Sequence, residues 1–146
     1  MMMRILVLYG PNLNLLGLVS AHTGTRLTLD KLNRVLRRRA GKLDVELKFF
    51  QTQSESDASK IIQRQRNNVE GLLLIPGRWA QTGHLLRETV EITRLPLAVF
   101  HLEPEPGPWH SAKESLFLDV AVHEAKGATP EEVTAFLERF VAHLRP

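Results

Sequence analysis

Short, continuous apolar runs constrain this chain more than any other feature. Arg4-Ile5-Leu6-Val7-Leu8-Tyr9 ends at Gly10-Pro11, and Leu72-Leu73-Leu74-Ile75 is broken by Pro76-Gly77. A third run, Leu97-Ala98-Val99-Phe100-His101-Leu102, precedes Glu103 to Pro108, which carries three prolines and a glycine. A strand with almost no polar face must be covered on both sides, which suits a parallel sheet. Between and after these runs the apolar period changes. Leu29, Leu32, Val35 and Leu36 share one helical face, with Gly41 as the natural stop. Val45, Leu47 and Phe49 alternate as a strand does. Ala58, Ile61, Ile62, Gln65 and Val69 form a narrow helical stripe, and a further helix is expected over about Gly83 to Thr93.

A last short strand is predicted near Leu118 to Val122. The final helix announces itself through an N-cap at Thr129, Pro130 at the first helical position and Glu132 closing a capping box. Val133, Phe136, Leu137, Phe140, Val141 and Leu144 then make one apolar face. Five strands alternating with helices predict a doubly wound α/β fold, sheet order 2-1-3-4-5, with helices on both faces. Without a linker, repeat or low-complexity tract, residues 1–146 are expected to form one domain.

Composition removes several function classes. There is no Cys, so disulfides and thiolate metal sites are excluded. No apolar run approaches the roughly 18 residues of a membrane span. Met1-Met2-Met3-Arg4 runs straight into the first strand, so no signal peptide is expected and a cytoplasmic location is the default. The net charge of +3 is concentrated in Arg34, Arg37, Arg38, Arg39 and Lys42. That cluster reads either as a nucleic-acid patch or as the solvated end of a helix, where cations suit the dipole. With no aromatic residue interleaved to stack on bases, nucleic acid is not the expected partner. His22, His84, His101, His110, His123 and His143 show no metal-ligand spacing, so no metal is expected.

In such sheets ligands bind beyond the carboxyl ends of the strands, where strand order reverses. Gly10 to Gly17, Pro76 to Gly83 and His101 to His110 are the loops at those ends. Asn12, Gly77 and His101 should therefore surround one cleft. Trp79 and Trp109 lie in the same loops, as stacking surfaces for a ligand or as cover for a subunit interface.

The segment Leu8-Tyr9-Gly10-Pro11-Asn12-Leu13-Asn14-Leu15-Leu16-Gly17 resembles the first strand-end signature of type II 3-dehydroquinate dehydratases, which read Asn-Gly-Pro-Asn-Leu-Asn-Leu-Leu-Gly there. Gln51 and Glu55, Pro76-Gly77, Thr82, Leu86 and Arg87, Leu95-Pro96 and His101-Leu102 keep register with the same pattern. The resemblance implies a flavodoxin-like fold. It implies anti elimination of water from 3-dehydroquinate through an enolate, without metal or cofactor, in the shikimate pathway to aromatic amino acids. It further implies self-association into trimers, commonly four in a dodecamer, with Glu88 at the acidic helix position that reaches into a neighbour's site.

Carried over residue by residue, the resemblance assigns Asn12 to the enolate-stabilising water and His101 to the general acid. The remaining positions depart. The family's lid reads Arg-Glu-Pro-x-x-Tyr-Gly, whereas Val19-Ser20-Ala21-His22-Thr23-Gly24 stands here, so the proton-abstracting tyrosine and its arginine are absent. His22 is the one substitute base in the lid. Ile75 replaces a substrate-binding asparagine and Gln81 a substrate-binding histidine. Val99 replaces the glutamate that orients the acid, which leaves His101 without a hydrogen-bond partner to fix its tautomer. Glu103-Pro104 replaces Ser-Asn, and no arginine lies between His101 and Glu114 to hold a carboxylate. Backbone N–H groups at Leu102 and Glu103 remain as anion donors, opposed by the Glu103 charge. Two readings follow: a weak or inactive dehydratase-like protein, or a non-catalytic relative binding a small molecule or partner in the same cleft.

Overall fold

A computed structural model describes residues 2–21, 26–103 and 114–146. Five parallel strands form one sheet in the order β2-β1-β3-β4-β5, as expected. They are β1 (Met3–Tyr9), β2 (Val45–Gln51), β3 (Gly71–Ile75), β4 (Leu97–Leu102) and β5 (His123–Gly127). The helices are α1 (Leu16–Ser20), α2 (Leu29–Lys42), α3 (Glu55–Gln65), α4 (Trp79–Thr82), α5 (His84–Thr93) and α6 (Pro130–Leu144). Among the described residues, no helix is long and apolar enough to cross a membrane.

The continuous apolar runs work because each strand feeds two cores. Ile5, Val7 and Tyr9 of β1 point to one face, with Leu73 and Ile75 of β3 and Ala98 and Phe100 of β4. Leu32 and Leu36 of α2, and Phe136, Leu137 and Phe140 of α6, cover that face. Leu6, Leu8, Leu72, Leu74, Leu97 and Val99 point the other way, beneath Ile62 of α3 and Leu86 and Val90 of α5. Each large side chain buried in this way contributes roughly 1.5–3 kcal/mol.

Helix ends follow their capping residues. The Thr28 side chain accepts from the Lys31 N–H, Ser54 from Asp57, and Thr129 with Glu132 completes the expected capping box. Gly41 is not the stop of α2. The helix runs through it to Lys42, and the reversal is made by Asp44 at φ 57°, a left-handed conformation that Asp tolerates.

The last strand also differs from expectation. Leu118 to Val122 is not a strand; residues 116–120 form turns, and β5 lies at His123–Gly127. Phe117 is buried in the second core, whereas Leu118 and Val122 are exposed, so one side chain anchors the turn and alternation is lost. Arg87 on α5 fixes that turn by donating to the Leu116 carbonyl and both Asp119 carboxylate oxygens. The true β5 carries no apolar pattern because it is an edge strand, paired through its backbone to β4. The Arg-rich end of α2 serves the fold: Arg37 lies 4.8 Å over the Phe49 ring and Arg39 pairs with Glu138.

Candidate active site

The loops after β1 and β3 meet backbone to backbone. The Gly10 N–H donates to the Ile75 carbonyl, and a Cβ on Gly10 would fall 2.0 Å from the Pro76 oxygen. Only glycine fits there. Asn12 follows at φ 65°, another left-handed position, and is tied to the loop after β2. Its N–H donates to the Gln53 Oε1 at 2.6 Å, and the Gln53 amide donates back to the Asn12 Oδ1 at 2.7 Å. Gln51 donates to the Gly10 carbonyl.

Other residues in register with the family pattern hold neighbouring elements. The Glu55 carboxylate accepts from the Leu86 N–H in the first turn of α5, an N-terminal position where negative charge is favoured. The Thr82 hydroxyl donates to the Arg78 carbonyl. Gly77 sits at φ 57°, which opens the turn into α4. Gln81 reaches from α4 towards the Glu114 carbonyl at 3.4 Å.

The ends of β1, β3 and β4 converge as expected. Leu13, Ile75, Gly77, His101 and Leu102 enclose a space of about 10 Å³, roughly one water's worth. Gly77, His101 and Leu102 are therefore brought together, whereas the Asn12 side chain is drawn aside to Gln53. Glu103 borders a separate, mostly apolar cavity of about 610 Å³. Leu102 lines that cavity too, with Leu16, Leu27, Val35, Pro130 and the arginines Arg34 and Arg38. The Glu103 N–H is not available to an anion, because it donates to the Gly127 carbonyl at 2.9 Å and extends the β4–β5 ladder.

His101 has a partner, contrary to the reading from Val99. Its Nε2 lies 2.6 Å from the Glu124 Oε2, with both side chains largely buried. Glu124 belongs to β5 and is the register neighbour of Val99. Sequence reasoning missed it because the strand was expected five residues too early. Gln53 was missed because nothing in its surroundings marks a polar residue in an exposed loop.

Among the described residues lining the strand-end space, His101 is the one titratable side chain. Tyr9 is the only tyrosine in the chain, and it lies in the core, away from the residues lining the strand-end space. It is fully buried on β1, its hydroxyl donates to the Asn33 Oδ1 at 2.7 Å, and burial pushes its phenol far above the usual range. His22, Trp109 and the prolines from Pro104 to Pro108 lie outside the described residues. Among the described residues, no group of three or more His, Asp or Glu side chains forms a metal-binding cluster.

Comparison with known proteins agrees with this architecture. Residues 3–138 match the family model described as dehydroquinase class II. The chain is 37% identical to a 3-dehydroquinate dehydratase of Geotalea daltonii over 100 residues, 68% of this chain and 69% of that one. It is 34% identical to a 3-dehydroquinate dehydratase of Nitrosomonas eutropha over 128 residues, 87% and 88% of the two chains. With some other curated relatives the match spans only 62% of their length. The crystal structure of type II dehydroquinase from Propionibacterium acnes superposes with a TM-score of 0.83 at 19% identity, covering 97% of this chain and 98% of that one. With its strand-end signature, its sheet order and these matches, the chain belongs to the class II dehydroquinase family.

Proposed function

We propose that this family member keeps the acid half of the dehydration site and has lost the base half, so that it turns over 3-dehydroquinate feebly or not at all. The observation that carries this reading is the lining of the strand-end space, where His101 is the single titratable group among the described residues. An elimination needs a group to take the carbon-bound proton and another to protonate the leaving hydroxyl. His101 suits the second task. The lid tyrosine and arginine are replaced, and Tyr9 is sealed in the core. A positioned acid or base is worth about a hundred to ten thousandfold in rate, so dehydration is expected at least about a thousandfold below an ordinary family member.

The distribution of matched residues supports the same reading. Gly10, Gln51, Glu55, Thr82 and Arg87 hold loops and helix ends by backbone contacts. Asn12 is held by Gln53 and has a structural reason to persist without chemistry. The departures, at Val19, Gly24, Ile75, Gln81, Val99 and Glu103, fall where the family resemblance places proton transfer and substrate contacts. The test is the ultraviolet appearance of the conjugated enone from 3-dehydroquinate at high protein concentration.

A second reading has its own observation. The cavity of about 610 Å³ beside Leu102 and Glu103 has a floor of apolar surface from residues such as Leu16, Leu27 and Val35 and is also lined by the cations Arg26, Lys31, Arg34 and Arg38, and its size is typical of a small-molecule site. A non-catalytic relative would hold a small ring there; Glu103 and Glu131 oppose a carboxylate, while Arg26, Lys31, Arg34 and Arg38 in the same lining attract one. Calorimetric titration with dehydroquinate and shikimate beside neutral ring analogues separates the two readings.

A further inference from the structure

We infer that Glu124 is a positioning residue for His101, supplying from β5 the carboxylate that β4 does not provide. The inference rests on the reading of His101 as the site's proton donor. Val99 and His101 lie two residues apart on β4 and so face the same side of the sheet. Val99 is fully buried and offers His101 nothing polar. Its Cα partner across the parallel ladder is Glu124. Registered residues of neighbouring strands share a face, so the Glu124 side chain rises on the side of Val99 and meets His101 diagonally. The observed contact of 2.6 Å to the ring Nε2 is that meeting.

The contact dictates the tautomer. A carboxylate oxygen only accepts, so a proton must sit on Nε2 for a bond this short. In neutral His101 the proton is therefore on Nε2, and Nδ1 carries the lone pair. In the imidazolium both nitrogens are protonated, and Nδ1–H is the one free to donate. The proton step then balances simply. Nδ1–H gives its proton to the departing hydroxyl as the enolate's electron pair forms the new carbon–carbon double bond; the C–O bond breaks with its pair on oxygen, and water leaves. The ring returns to the Nε2–H neutral form, still bonded to Glu124.

An edge strand commonly carries charged residues against edge pairing, and Lys126 on β5 fits that description. Glu124 does not, because its side chain is largely buried against His101 rather than turned to solvent. Moving the carboxylate one strand sideways keeps it level with Val99 and leaves the Val99 side chain in the apolar core.

The test compares the full chain with Glu124→Val, Glu124→Gln and the cross-strand exchange Val99→Glu with Glu124→Val. Nitrogen-15 spectra of histidine-labelled protein, with His101 assigned through His101→Gln, report the tautomer without needing turnover. The parent is expected to show the Nε2–H form alone. Glu124→Val should give a mixture of both tautomers, Glu124→Gln should retain the Nε2–H form through its amide oxygen, and the exchange should restore a single tautomer. If residual dehydration is measurable, Glu124→Val should lower kcat about tenfold or more with KM little changed, since a wrongly oriented histidine loses transition-state contact. Should the exchange variant fail to fold, the Val and Gln variants decide between themselves. A parent that already shows mixed tautomers, or a Glu124→Val variant with an unaltered His101 spectrum, would overturn the assignment. Turnover at an ordinary rate in the parent, with the tautomers behaving as stated, would overturn the reading of a lost base and leave the positioning role standing.

Discussion

Gln53 and Asn12 grip each other through two hydrogen bonds, one to the Asn12 backbone and one to its side chain. The pair ties the loop after β1 to the loop after β2 and holds Asn12 in a left-handed conformation. Gln53→Ala removes both bonds at an exposed site, and a loss of about 1 kcal/mol is expected. Asn12→Ala should cost more, because alanine is poorly suited to a positive φ. Urea unfolding of the two single variants and the double variant checks this. A double variant whose loss equals the sum of the singles would show that the two residues are not coupled.

Tyr9 is fully buried and hydrogen-bonded to Asn33. Tyr9→Phe keeps the ring stacked beside Phe49 but removes the bond to Asn33. Stability is expected to fall by about 1–2 kcal/mol, as one buried hydrogen bond is lost and its acceptor is left unpaired. Any residual dehydration should be unchanged in rate. A large drop in kcat without a drop in stability would make Tyr9 the missing base.

His123 gives the fold a pH dependence. Partial burial first, then Arg139 and the neighbouring His143, hold its pKa below the ordinary 6.5. The two imidazole rings meet edge-on at 5.2 Å. The folded protein therefore prefers neutral His123, while the unfolded chain takes up a proton at higher pH. The stabilisation is complete above about 6.5 and is lost as pH falls through the depressed folded value. The urea midpoint should drop between about pH 7.5 and about pH 5.5, and His123→Asn should flatten part of that slope. An identical slope in the variant would assign the effect elsewhere.

Self-association is the fourth expectation. Leu85 and Ile92 are exposed on α5, and Glu88 is exposed on the same helix. The family resemblance places an acidic residue at Glu88 against a neighbour's site. We expect at least a trimer by light scattering at micromolar concentration; a monomeric mass would refute it.

The sheet order was legible in the sequence because three strands are buried on both faces and advertise themselves as apolar runs. Helix α6 was legible through its own chemistry, Thr129, Pro130 and Glu132 preceding a regular apolar face. β5 was not, because an edge strand reading His-Glu-Ala-Lys-Gly carries no hydrophobic signal, while the preceding Leu118, Val120 and Val122 imitate one. The site inherited that error. His101 and Gly77 were placed correctly by their strand ends, but the partner of His101 depends on a register across two strands that no local pattern contains. Asn12 was read as a water-binding residue with a structural alternative, and the structure adds the hydrogen bonds to Gln53 that no local pattern announced.

In the proposed function this site has an acid but no base. The most direct measurement is the rate of enone formation from 3-dehydroquinate by the full chain at high concentration, beside an ordinary class II dehydroquinase. A rate at least about a thousandfold lower is expected, falling further to background in His101→Gln. A rate within about tenfold of the ordinary enzyme, or a residual rate indifferent to His101→Gln, would contradict it.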